Sequence, residues 1–124
     1  MKIILIILRL LFGAFLLYAG ANKLYPFIDP PPPASDEAMT YFTALTITKT
    51  LTLVAIVEVF AGLSLLINKF AALMMIILMS VSVNAVLYHV TIDPDTTLMA
   101  GVMLVLNIVM LFIYKDRYKD ILKP

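Results

Sequence analysis

The feature that most constrains this chain is a series of four apolar stretches, each about as long as a membrane-spanning helix. A helix needs about 20 predominantly apolar residues to cross the hydrocarbon core of a bilayer, and its backbone amides must be satisfied within the helix. The sequence therefore predicts an all-α membrane protein, a four-transmembrane-helix bundle in which residues 1–124 form a single domain. The predicted spans cover residues 3–22, 50–67, 70–88 and 97–114.

The composition supports a membrane fold and excludes several functions. Hydrophobic residues make up 63% of the chain and the mean hydropathy is +1.05, whereas about 45–50% apolar residues is usual for soluble domains. A net charge of +1 gives no field that could hold nucleic acid. The absence of cysteine excludes disulfides, thiol redox chemistry and thiolate metal sites. With His89 as the only histidine and no recognisable catalytic motif, we expect neither a metal site nor a self-contained catalytic site.

The three connections between the spans differ in length. Asn68 and Lys69 form a tight joint, so the second and third spans are expected to form an antiparallel hairpin. Residues 91–95, which include Pro94, predict a short turn before the fourth span. The first connection is long and Pro-rich, and covers residues 25–49.

The long connection contains signals for two kinds of structure. Pro30–Pro33 cannot be helical and predicts an extended polyproline segment. Ser35 or Asp36 can then cap a new helix. The apolar residues that follow at helical spacing are Met39, Phe42 and Leu45. Residues 36–48 are therefore expected to form either a short helix at the membrane interface or an early extension of the second span.

The distribution of basic residues predicts the orientation in the membrane. Seven of the nine lysines and arginines lie on one side of the predicted bundle: Lys2, Arg9, Lys69, Lys115, Arg117, Lys119 and Lys123. Lys23 and Lys49 lie on the other side. Positive residues favour the cytoplasmic side, so we expect both termini in the cytoplasm of a bacterial inner membrane. The basic tail is expected to rest on anionic headgroups.

The first apolar stretch has an alternative interpretation. Residues 1–20 also resemble a secretory signal, with Lys2, an apolar segment and then small residues. Arg9 interrupts the apolar segment, and the stretch is long for a signal. We therefore favour a retained first span.

Two charged residues lie inside predicted spans, where charge is costly and usually has a partner. Arg9 and Glu58 lie roughly 9 and 15 Å from the inner ends of their helices, at about 1.5 Å per residue. The sequence therefore predicts an Arg9–Glu58 ion pair or polar site within the bundle. As alternatives, Arg9 could extend alone to the headgroups, and Glu58 could be either a proton- or ligand-binding carboxylate or a purely structural partner.

The first span has one face with a distinct composition. Its residues are Arg9, Gly13, Leu16, Gly20 and Lys23, which lie in a narrow sector at 100° per residue. Gly13 and Gly20 would let a neighbouring helix approach closely. This face is therefore expected to point into the bundle.

Further polar residues lie in the other spans and at their outer ends. Ser80, Asn84 and Tyr88 form a stripe on the third span, and Asn107 lies in the fourth. We expect these side chains to hydrogen-bond between helices. A candidate outward-facing pocket is formed by Asn22, Lys23, Asn84 and His89. Alternatively, His89 simply lies in the headgroup zone, as amphipathic side chains at span ends commonly do.

Several motifs occur together in an order that resembles the DoxX family of small bacterial membrane proteins. The first span carries Arg-Leu-Leu-Phe-Gly from Arg9 and Tyr-Ala-Gly-Ala-Asn-Lys-Leu from Tyr18. The second carries Glu-Val-Phe-Ala-Gly-Leu-Ser-Leu-Leu-Ile-Asn-Lys from Glu58, leading directly into the third. Asn84 to His89 and the Asp93-Pro94 turn complete the pattern, which covers nearly the whole chain.

This resemblance implies a four-helix membrane bundle and a role in membrane redox systems. Some members of the family are similar to the small subunit of a thiosulfate:quinone oxidoreductase, and others act in redox-stress complexes. Related proteins with Cys-x-x-Cys perform thiol chemistry, which this cysteine-free chain cannot. The residues that match the family's recurrent polar or small positions are Arg9, Gly20, Lys23, Glu58, Gly62 and His89. Gly62 is expected to pack between helices, as Gly13 and Gly20 are.

Three functions remain open from the sequence. The first is an accessory subunit of a membrane redox or quinone-linked complex, not catalytic alone, with quinone as the candidate cofactor and a redox protein or a second copy as partner. The second is a carrier or binding protein for a lipid-like ligand, with Glu58, Asn84 and Asn107 lining its cavity. The third is a purely structural membrane assembly factor.

Overall fold

The computed structural model describes residues 2–27, 32–121 and 123–124, and these form helices joined by turns, with no strand among them. The helices are α1 (Lys2–Leu24), α2 (Asp36–Ile47), α3 (Thr50–Ile67), α4 (Ala71–Thr91) and α5 (Thr97–Ile113). Short 3-10 turns cover Pro94–Thr96 and Lys115–Tyr118. The predicted all-α class is therefore confirmed.

Four of these helices are long and apolar enough to cross a membrane: α1, α3, α4, and α5 together with the 3-10 turn before it. The observed bounds agree closely with the predicted spans. The largest difference is at the end of α4, which continues to Thr91 rather than stopping at Tyr88. The protein is a multi-pass membrane protein in which most large apolar side chains on the outer surface of the bundle contact lipid.

The bundle consists of two closely packed helix pairs. α1 packs mainly on α3, α4 packs mainly on α5, and the short α3–α4 turn joins the pairs. Each of these four helices contributes one stripe of buried residues, mostly at three- and four-residue spacing, as expected for a helix with one packed face. Fully buried large residues of this core are Phe12, Leu16, Leu65, Met75, Leu78 and Met110.

Glycines bring α1 and α3 into direct backbone contact. A Cβ atom added at Gly62 would lie 2.6 Å from the backbone nitrogen of Leu17, and one added at Gly20 would lie 2.6 Å from the carbonyl oxygen of Ala55. Gly13 lies against Gly62, with 3.0 Å from an added Cβ to the Gly62 carbonyl oxygen. The pair can therefore reach this separation only without side chains at these positions.

The α4–α5 pair is joined by neutral polar groups. The Ser82 hydroxyl donates to Oδ1 of Asn107 (2.7 Å), and Nδ2 of Asn107 donates to the Met75 carbonyl (3.0 Å). Ser82 and Asn107 are both completely buried. The interhelical role expected for Asn107 is thus present, but its partner on α4 is Ser82.

The expectation for Ser80 and Asn84 is wrong. Ser80 donates to the carbonyl of Ile77 (2.9 Å) and Asn84 to that of Ser80 (3.0 Å), so both side chains bond within α4 and are exposed. The reason is helical phase. The buried face of α4 passes through Ala71, Met75, Leu78 and Ser82, which places Ser80 and Asn84 on other faces.

The long connection contains a separate helix. The Ser35 hydroxyl accepts a hydrogen bond from the Ala38 amide (3.1 Å), so Ser35 is the N-cap of α2. Lys49 has a left-handed conformation with φ 64° and separates α2 from α3. Of the two expectations for residues 36–48, the short helix is present and the continuous extension is not. Part of the predicted polyproline segment, residues 30–31, lies outside the described residues.

Candidate functional site

Glu58 does have a cationic partner, but the predicted Arg9–Glu58 pair is wrong. Nζ of Lys23, near the end of α1, lies 2.8 Å from Oε1 of Glu58 in the middle of α3. The ion pair therefore joins the same two helices that the glycines hold together. It lies toward the C-terminal end of α1, which is the outer end in the predicted orientation.

The register of the two helices explains this partner. Because Gly13 lies beside Gly62 and Gly20 beside Ala55, the antiparallel helices are in step over this stretch. Glu58 is consequently level with about Leu17. On the same scale, Arg9 and Lys23 are at comparable distances from that level, about 12 and 9 Å along the axis. Depth along the helix axis therefore does not explain why Glu58 pairs with Lys23 and not with Arg9.

Side-chain direction decides between the two cations. Every side chain in a helix leans toward the helix N-terminus. Lys23 therefore leans back along α1 toward Glu58, and Glu58 leans along α3 toward Lys23, because the helices are antiparallel. Arg9 leans away from both. The prediction compared depths and did not include this direction.

Arg9 instead caps the end of α3. Its Nη1 donates to the carbonyl of Leu65 and also lies 3.5 Å from the carbonyl oxygen of Leu66. Carbonyls in the last turn of a helix have no intrahelical partner, and a cation there also interacts favourably with the helix dipole. Arg9 therefore neither extends alone to the headgroups nor pairs with Glu58.

The two members of the ion pair differ strongly in exposure. Glu58 is 3% exposed, whereas the Lys23 side chain is 34% exposed. The buried Oε1 of Glu58 contacts the Lys23 ammonium, and among the described residues it has no other hydrogen-bond partner. The site thus combines a buried carboxylate, which can accept further hydrogen bonds, with a partly exposed ammonium, which can donate them. Such a pair can bind a small polar group that both accepts and donates hydrogen bonds.

The other residues of the predicted outward pocket make hydrogen bonds to their own neighbourhoods in the described part of the chain. Asn22 lies in the last turn of α1, next in sequence to Lys23, and its Oδ1 accepts from the Phe27 amide (2.8 Å) beyond the end of the helix. Asn84 bonds within α4. Nδ1 of His89 lies 2.6 Å from the hydroxyl of Thr96, which ties the end of α4 to the next turn. Each of the three has a local structural contact.

An aromatic cluster that was not predicted from the sequence covers the C-terminal end of α4. Tyr41 of α2 stacks on Tyr88 with ring centroids 4.9 Å apart and 20° between planes. Phe42 packs edge-on against the same ring at 5.1 Å, and His89 at 4.9 Å. The signal was the adjacent pair Tyr41–Phe42 in a predicted helix, but the helix alone does not identify the partner. α2 therefore contacts both helix pairs, since it packs on α3 of one pair and on Tyr88 of the other.

Within residues 2–27, 32–121 and 123–124, no three His, Asp or Glu residues are grouped so that they could hold a metal ion. Separately, the candidate site that the described residues present is the Lys23–Glu58 pair between α1 and α3. Its chemistry is hydrogen bonding and charge.

Comparison with known proteins gives one match. No curated protein and no solved structure matches this chain. The DoxX family model matches residues 4–91, which cover all but the first two residues of α1, all of α2 to α4 and both members of the ion pair. The chain therefore belongs to the DoxX family.

Proposed function

We propose that this protein is an accessory membrane subunit of a quinone-linked redox complex in the bacterial inner membrane, and that Lys23 and Glu58 contact the quinone headgroup. The observation that carries the proposal is the ion pair between α1 and α3, 2.8 Å apart, with one open donor. Ionisable residues within membrane spans usually mark the paths of substrates, ions or protons.

The pair suits both redox forms of such a ligand. A quinone presents carbonyl oxygens, which the Lys23 ammonium can contact as a donor. A quinol presents hydroxyl groups, which can donate to the Glu58 carboxylate. The exposed surfaces of α1 and α3 are apolar and suit an isoprenoid tail. In this proposal a partner subunit carries the electron-transferring cofactor, and this chain supplies the headgroup contact and the membrane anchor.

The test is purification of the tagged protein from native membranes in mild detergent. Mass spectrometry identifies the proteins that remain bound, and solvent extraction measures quinone. We expect a stoichiometric redox protein and bound quinone. Glu58→Gln should lower the quinone content about tenfold, since a hydrogen bond to a charged group contributes about 1.5 kcal/mol or more.

Asn84→Ala is the matched control because Asn84 is exposed and bonds only within its own helix. It should leave quinone content unchanged. Purification of intact protein with neither a redox partner nor quinone would reject the proposal. Recovery of a different lipid-like ligand without a redox partner would favour the carrier function.

A further inference from the structure

A cleft lies at the end of the bundle opposite the Lys23–Glu58 pair, where the α3–α4 turn meets the C-terminal tail. Its volume is about 500 Å³. Its lining includes two basic residues and several apolar ones: Lys69, Arg117, Phe70, Leu73, Ile76 and Ile121. The cleft thus has a cationic part and an apolar wall that continues along α4.

Specific contacts fix the shape of this cleft. The Tyr118 hydroxyl donates to the Ala72 carbonyl (2.7 Å), and the Tyr114 hydroxyl donates to Oδ1 of Asn68 (2.7 Å). These two bonds hold the 3-10 turn, and Arg117 within it, against the start of α4. The Tyr118 hydroxyl is protonated at neutral pH and can donate, and burial raises its pKa further.

The basic residues of the cleft are not neutralised by the nearby acids. Asp116 pairs with Lys119 (3.8 Å) and Asp120 with Lys123 (3.5 Å). Among the described residues, no carboxylate lies within ion-pair distance of Lys69 or Arg117. Both cations that line the cleft are therefore available to an external anion.

The apolar wall is exposed although it adjoins these cations. Phe70 is 75% exposed, in a left-handed conformation with φ 59°. Leu73 and Ile76 are also exposed and lie one turn apart on α4. An occupant that satisfies both parts of the cleft must have an anionic group next to a long apolar chain.

We propose that this cleft is a binding site for an anionic phospholipid, with the phosphate between Lys69 and Arg117 and an acyl chain along Leu73 and Ile76. A guanidinium binds phosphate oxygens in a planar, two-point geometry, and the lysine adds a point charge. The cleft lies at the end of the bundle that carries most of the basic residues, where anionic headgroups of the cytoplasmic leaflet are expected.

The test is native mass spectrometry of the detergent-solubilised full chain titrated with phosphatidylglycerol or with phosphatidylcholine. We expect the wild type to prefer phosphatidylglycerol. Lys69→Gln and Arg117→Gln should each weaken its binding about fivefold, from about 1 kcal/mol for each basic residue at the membrane surface. Leu73→Asn should weaken binding of the lipid as well, because it removes part of the apolar wall.

Lys123→Gln is the matched control. It removes an equal charge from the same tail but not from the cleft. If Lys123→Gln and Arg117→Gln weaken lipid binding equally, the lipid is held by general attraction to a charged surface and not by this site. Equal binding of the two lipids would also overturn the proposal. A third result would also overturn it: excess inorganic phosphate displaces the bound lipid, and Leu73→Asn has no effect on lipid binding. That result would indicate a site for a free anion. Circular dichroism of each variant identifies any that fail to fold.

Discussion

The α1–α3 and α4–α5 pairs differ in how their two helices pack against each other. α1 and α3 meet backbone to backbone at Gly13, Gly20 and Gly62, and carry an ion pair between them. α4 and α5 meet through larger side chains and a neutral hydrogen-bonded group around Asn107. The one glycine of α5, Gly101, has no atom within 4 Å of an added Cβ.

The two pairs therefore depend on different interactions for their stability in lipid. Close backbone packing gives many dispersion contacts but tolerates no added atom. A neutral hydrogen bond within a membrane contributes less, about 0.6 kcal/mol on average, and its loss leaves the surrounding packing in place. The α1–α3 pair should therefore be the more sensitive to substitution, and it is also the pair that carries the candidate site.

The largest expected effect follows from filling the glycine contact. Gly62→Ala places a methyl group 2.6 Å from the Leu17 backbone nitrogen, so the helices must separate. We expect a loss of about 3 kcal/mol in the free energy of unfolding, at the upper end for overpacked sites. Unfolding by a denaturing detergent measures it. Gly101→Ala is the matched control and should be close to neutral. An equal effect at both positions would contradict the difference between the pairs.

A smaller effect is expected from breaking the ion pair, and the two single changes should be unequal. Lys23→Leu leaves Glu58 buried and unpaired, which we expect to cost about 2 kcal/mol; fully buried pairs lose about 3–5 kcal/mol. Glu58→Leu should cost less, because the partly exposed Lys23 can extend toward the headgroups. The double variant should recover most of the stability. The same unfolding assay tests the order, and a greater loss for Glu58→Leu would contradict it.

The double variant also distinguishes a structural role from a binding role for the pair. If Lys23 and Glu58 only stabilise the bundle, the folded double variant should retain the same bound partner and quinone as the wild type. If they bind the headgroup, quinone should be lost while the fold remains. The purification assay described above measures both quantities on one sample.

The smallest effect concerns the α4–α5 pair. Ser82→Ala removes the hydrogen bond to Asn107, and we expect a loss of about 0.6 kcal/mol in the free energy of unfolding. Ser80→Ala is its control, because the Ser80 hydroxyl is exposed and bonds within α4. A loss for Ser82→Ala as large as that for Gly62→Ala would remove the distinction between the two pairs.

The spans, the tight Asn68–Lys69 joint and a helix start at Ser35 were predictable, whereas the sequence left open whether that helix is separate from the second span. They depend on hydropathy, on the tolerance of Asn for left-handed backbone and on side-chain capping, which are local properties. Asn68 indeed has φ 55° at the end of α3. The close-packing role of Gly13 and Gly20 followed equally from their spacing on one helix face.

The partners of the polar residues were harder to predict, because they depend on the relation between helices. Arg9 and Lys23 lie on the same face of α1, and only register and side-chain direction assign Glu58 to Lys23. Ser82 was overlooked in favour of Ser80 because the phase of the buried face of α4 was not known. Both errors concern which residues face each other, and the sequence of one helix does not contain that information.

The tyrosine contacts beside the α3–α4 turn have a consequence for the order in which the bundle is assembled. The chain is made from the N-terminus, so α1 and α3 are available to each other once residues 2–67 have been inserted. The bonds from Tyr114 to Asn68 and from Tyr118 to Ala72 join positions 46 residues apart. They can form only after α5 has been inserted, so this end of the bundle closes later than the contact between α1 and α3.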